Sequence, residues 1–148
     1  MLFRSANHNG AVVTMVERKS GYAVLAKVAN KTSDLVSSAI VRNLKPLRER
    51  VKTLTFDNGK EFAAHAHIDE QLQSTAYFAR AFASWERGSN ENLNGLLRQY
   101  IPKKRSMSTV TDEEIRMIQN RLNNRPRKRL GFKTPAEVFH QSLKRVEL

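Results

Sequence analysis

The segment "GAVVTMVERKSGYAVLAKVANK" (Gly10 to Lys31) constrains the fold more than any other. Two apolar, β-branched runs, Ala11 to Glu17 and Tyr22 to Val28, flank "RKSG", where Gly21 supplies the permissive backbone of a tight turn. The spacing predicts an antiparallel hairpin. The period then changes from two to 3.6. In "TSDLVSSAIVRNLKPLRERV", Thr32 or Ser33 caps a helix with Leu35, Val36, Ala39, Ile40 and Leu44 on one face, and Pro46 bends or ends it. A short β-rich run, "VKTLTF", follows, and a helical pattern resumes through Phe62, Ile68 and Leu72. The order strand, strand, helix, strand, helix predicts an α/β fold in which helices lie on a sheet.

Further along, "STAYFA" reads as another strand, "RAFASWERGS" as irregular chain, and "NENLNGLLRQYI" as a helix with Leu93, Leu96, Leu97 and Tyr100 on its apolar face. Two later helix starts carry explicit signals. Thr111 and Glu114 match a capping box for a helix running to about Leu122. Thr134 is a cap with Pro135 at the first helical position and Glu137 three residues after the cap.

The length of 148 residues predicts one domain. Lys and Arg number 26 against 14 Asp and Glu, a formal net charge of +12, which points to a polyanionic partner, most often nucleic acid. No apolar stretch approaches the roughly 20 residues that span a bilayer, and the amino terminus lacks the pattern of a secretory signal. Cysteine is absent, which removes disulfides and thiolate zinc sites and fits a cytoplasmic setting. His65 and His67 are two apart, so on a helix they do not share a face and make a poor metal pair.

Against this basic background, "TFDNGKEF" places Asp57 directly after an apolar strand, and "SWERGSNENLNGLLRQY" places Glu91 near a helix start among Asn90, Asn92 and Asn94. Each acid has an ordinary reading: an Asx turn or helix cap for Asp57, a favourable first-turn charge for Glu91. Each also has the chemistry of a hard-metal ligand.

These two segments, with "VERKSGY" and "NNRPRKRLGFKTPAEVF", resemble the catalytic core of the insertion-sequence-thirty family of bacterial transposases. The resemblance spans Gly10 to Phe139. It implies a ribonuclease-H-like fold, like that of retroviral integrases, with a mixed sheet flanked by helices. It also implies an Asp, Asp, Glu triad that binds Mg2+ or Mn2+ and cuts and joins DNA. Asp57 matches the family's second aspartate and Glu91 its glutamate, 34 positions later.

The first aspartate falls at about Met1, and this chain has no acid before Glu17, which belongs to a different motif. The expectation is therefore a core with an incomplete first strand, truncated at its amino terminus and without the family's amino-terminal DNA-binding region. Its catalysis would be impaired. The alternative is a non-catalytic basic remnant that binds DNA or oligomerises. An exposed sheet edge could then drive homodimer formation.

Arg87 reads either as a phosphate contact or as part of a structural ion pair, and Asn94, one helical turn past Glu91 and on its face, as a contact to metal-bound water or DNA. The clusters Lys103, Lys104, Arg105 and Arg125, Arg127, Lys128, Arg129 are candidates for DNA phosphates, or solvated basic faces.

Overall fold

The computed structural model describes residues 2–3, 10–17, 19–30, 32–48, 51–56, 64–78, 88–141 and 146–147, with 2–3, 52, 78, 88–92 and 146–147 described by backbone alone. The hairpin forms as expected. Strands β2 (Ala11–Val16) and β3 (Ala23–Val28) pair antiparallel in the register Val13 to Ala26, and β1 (Leu2–Phe3) pairs antiparallel with β2 on its other side. All six residues of β2 are buried, because both faces of this sheet are covered.

Helix α1 (Ser33–Leu44) starts at Thr32, whose hydroxyl accepts from the Leu35 amide. It stops before Pro46, which sits in a following 3-10 turn, Lys45–Leu47. Its apolar positions Val36, Ala39, Ile40 and Leu44 are buried, whereas Leu35, expected on the same face, is exposed because it falls at the edge of the stripe; α2 (His65–Leu72) buries Ile68 and Leu72. The helical pattern anticipated to begin near Phe62 is observed from His65; Phe62 itself lies outside the described residues.

Strand β4 (Val51–Phe56) is the centre of a second sheet, parallel to β5 (Thr75–Phe78) on one side and to β6 (Val146–Glu147) on the other. The sequence reading did not anticipate β6, which is two residues long and finds its partner some 95 positions away.

Two apolar clusters hold the sheets and helices together. One joins Ala11, Val13, Met15, Val24 and Ala26 of the hairpin to Leu54 and Phe56 of β4, under α1 and α2. The other lies on the opposite face of the hairpin, where Val12, Val16 and Leu25 meet α3 (Gly88–Leu97) and α4 (Asp112–Asn123) through Leu93, Leu97, Ile115, Ile118 and Leu122. At about 1.5–3 kcal/mol for each fully buried large apolar side chain, these clusters are the main source of stability. Helix α5 (Pro135–Gln141) closes the first cluster by stacking Phe139 on Tyr22, with ring centroids 4.3 Å apart and planes 7° from parallel. Burial pushes the Tyr22 phenol above its ordinary pKa. Helices on both faces of the hairpin sheet make a three-layer α/β/α arrangement.

The two helix starts with sequence signals differ in detail. At α5, the Thr134 hydroxyl accepts from the Glu137 amide at 3.1 Å, as expected. At α4, the Thr111 hydroxyl accepts from the Glu114 amide at 3.1 Å. The Glu114 carboxylate also receives both ends of the Arg105 guanidinium, at 2.6 and 2.7 Å. Arg105 holds this carboxyl below its ordinary pKa, and the Thr111 backbone amide helps, as a capping box requires.

Candidate active site and nucleic-acid interface

Strand β4 is hydrogen-bonded on both sides and ends at Phe56, one residue before Asp57. Asp57 and Arg87 lie outside the described residues. Glu91 lies within α3, in its first turn and a half, and α3 is fixed against the hairpin by Leu93 and Leu97. Asn94 follows on α3 and is partly buried.

Among the described residues, Glu17, Asp69 and Glu114 are committed elsewhere. The buried Glu17 carboxylate accepts from the Lys19 amide and from the Ser20 amide at 3.0 Å, while its carbonyl accepts from the Gly21 amide at 2.8 Å. Glu17 therefore builds the hairpin turn. Asp69 accepts from the Ser74 hydroxyl at 3.1 Å and the Ala76 amide at 3.2 Å, tying the end of α2 to β5. Glu114 is held by Arg105, whose hydrogen bonds keep the carboxyl below its ordinary pKa despite some desolvation. Among the described residues, no group of three or more His, Asp or Glu side chains is placed to hold a metal ion.

The basic candidates divide by surroundings. Lys103, Lys104, Arg125 and Lys128 are exposed. Arg105 is engaged by Glu114 and also donates to the hydroxyl and carbonyl of Thr109, both at 3.1 Å. Arg129 donates to the Lys19 carbonyl at 3.1 Å and packs so closely on Gly21 that a Cβ there would come within 2.7 Å of its Nη2. Gly21 is thus required twice, by this approach and by its φ of +74°. Arg127 is half-buried, and that burial, followed by repulsion from Arg125 and Arg129, lowers its pKa from the ordinary arginine value.

Sequence reasoning overlooked the side chains that finish the outer edge of β3. The Asn123 amide accepts from the Ala23 amide and donates to the Ala23 carbonyl, both at 2.8 Å, and Gln119 accepts from the Leu25 amide at 2.9 Å. Lys27 reaches the Val110 carbonyl at 2.5 Å. The only signal in the sequence is a pair of amides four residues apart on α4, which share one helix face.

The architecture has close counterparts among known proteins. No family model matches the chain. It is 47% identical over 135 residues to the transposase of insertion sequence element IS4351 from Bacteroides fragilis, an alignment that covers 91% of this chain and 41% of that protein. It is 38% identical over 140 residues to transposase InsI of insertion sequence element IS30A from Escherichia coli K12, covering 94% and 37%.

Over about nine tenths of its length the chain is similar, at 38–47% identity, to transposases of the insertion-sequence-thirty family. It spans about two fifths of the length of these curated relatives. Among solved structures it superposes on the catalytic core domain of BIV integrase with a TM-score of 0.70 at 20% identity, covering 95% of this chain and 91% of that one. The expected ribonuclease-H-like, integrase-type fold is therefore the observed one. Among the described residues, no helix is long and apolar enough to cross a membrane.

Proposed function

We propose that this chain is the catalytic-core domain of a DNA transposase, in which Asp57 and Glu91 hold Mg2+ or Mn2+ for cleavage and joining of phosphodiesters. One observation carries the reading. In an integrase-type fold, one carboxylate directly follows the central strand β4 and a second lies in the first half of α3, within a sequence 47% identical to a transposase.

The donors fit a hard divalent cation in kind, since carboxylate oxygens are its preferred ligands. When bound, such an ion supplies charge stabilisation to the attacking and leaving oxygens of the phosphodiester. The chain's own contribution is placement. Exposed Lys103, Lys104, Arg125 and Lys128, with Arg127, contact DNA phosphates, Arg87 contacts a phosphate near the scissile bond, and Asn94 contacts DNA beside Glu91. Arg105 and Arg129, tied to Glu114 and Lys19, hold the two basic segments in position.

Glu17 favours a second reading. It is enclosed in the hairpin turn, where two backbone amides occupy its carboxylate, so it adds no third ligand to Asp57 and Glu91. On that reading the domain binds DNA without processing it. An assay of end cleavage and joining with Mg2+ or Mn2+ separates the two. Metal-dependent product that disappears in Asp57→Ala and Glu91→Ala supports the catalytic reading. Salt-sensitive binding that survives chelator, with no product, supports the second.

A further inference from the structure

Phe132 is a large apolar side chain that the fold does not use. It is 71% exposed and contributes to neither apolar cluster. Its backbone sits at φ +66°, a left-handed conformation that aromatic residues rarely adopt and that Gly or Asn ordinarily supplies. The conformation is enforced: the Phe132 amide donates to the Arg127 carbonyl at 2.9 Å, and the Arg127 amide donates to the Lys133 carbonyl at 3.0 Å. Residues 127–133 thus form a closed loop, and Arg129 fastens it to the hairpin turn through the Lys19 carbonyl.

The charges of this stretch of chain are of one sign. No acid occurs in the sequence between Glu114 and Glu137, and Arg125, Lys128, Arg129 and Lys133, on the loop or just before it, are all exposed. A lone ring held out on a rigid basic loop matches what an unpaired nucleobase requires, a flat apolar face to stack on and cations for the flanking phosphates. A protein partner would call for a contiguous apolar patch, whereas in the chain Phe132 is flanked by Gly131 and Lys133.

We propose that Phe132 is a stacking platform for an unpaired base at a DNA strand end, with Lys128 and Lys133 on the adjoining phosphates. The proposal rests on the DNA-processing reading above. The ring need not unstack a duplex; it receives a base that strand cleavage has already freed.

The test compares a blunt duplex with one carrying a three-nucleotide overhang that contains 2-aminopurine. Binding is measured for the wild type, Phe132→Gly and Phe132→Trp. The wild type should bind the overhang about tenfold more tightly than the blunt duplex and change the 2-aminopurine emission, within the range expected for stacking of one base. Phe132→Gly should lose that preference while keeping blunt-duplex affinity, and Phe132→Trp should retain it. Because glycine relieves the left-handed backbone, the Phe132→Gly Tm should not fall, which separates loss of stacking from loss of folding.

Equal binding of both duplexes by the wild type, or an unchanged preference in Phe132→Gly, overturns the proposal. A change in self-association with no change in DNA preference overturns it in favour of a protein contact. Failure of the wild type to bind either duplex in a salt-dependent way removes the DNA reading itself, and the proposal with it.

Discussion

Glu17, set apart in the sequence as part of a different motif, is a structural carboxylate. It lies in the motif that precedes the hairpin turn, and its side chain accepts two backbone amides in a buried position. Replacing it with Ala leaves those amides without an acceptor, a loss of about 1–3 kcal/mol that urea unfolding would register as a lower midpoint. The substitution should leave the metal affinity of the folded protein unchanged.

Arg105 and Glu114 carry a second prediction at this scale. Glu114 has a lowered folded-state pKa, so its contribution is present above the ordinary carboxylate value of 4.5 and is lost as pH falls through the folded value. Stability should therefore decline in acid, and the Arg105→Ala variant should show less of that decline. A double-mutant cycle at neutral pH should give about 0.5–1 kcal/mol for this partly exposed pair.

At the scale of elements, α4 is more than a cover for the sheet. Asn123 and Gln119 take up the outward backbone groups of Ala23 and Leu25, so the far edge of the hairpin ends in side-chain amides and not in an open strand. Asn123→Ala should cost about 2–3 kcal/mol, because it strands a buried donor and a buried acceptor together. Amide exchange at Ala23 should accelerate more than at Val24, which faces β2.

This is also where the sequence is legible and where it stops being so. Thr32, Thr111 and Thr134 were readable as caps because each bonds an amide three residues on, and the apolar faces of α1 and α4 follow the helical period. The Asn123 bridge joins residues 100 positions apart, and the β6 pairing joins Val146 to Val51. No local pattern encodes either contact. Phe132 was passed over for the same reason, since neither its exposure nor its left-handed backbone follows from "LGFK".

For the whole molecule, the integrase-type fold was legible through the ordered motifs "VERKSGY", "TFDNGKEF" and "SWERGSNENLNGLLRQY", and the superposition on an integrase core agrees. The candidate site was legible as residue types and spacing alone. Bringing Asp57 and Glu91 together depends on how β4 and α3 are set against the hairpin, a tertiary relation that 34 positions of sequence do not specify. The charge of +12 makes its own prediction at this scale: DNA affinity should fall steeply with salt, and Lys128→Ala should lower the slope of log K against log salt by about one.

The most direct test of the account is a calorimetric titration of Mn2+ into the wild-type chain, Asp57→Ala and Glu91→Ala. Saturable binding in the wild type that is lost in both variants is the predicted result. Binding that persists undiminished in both, or its absence from the wild type, would contradict the assignment of these two carboxylates as the metal-holding pair.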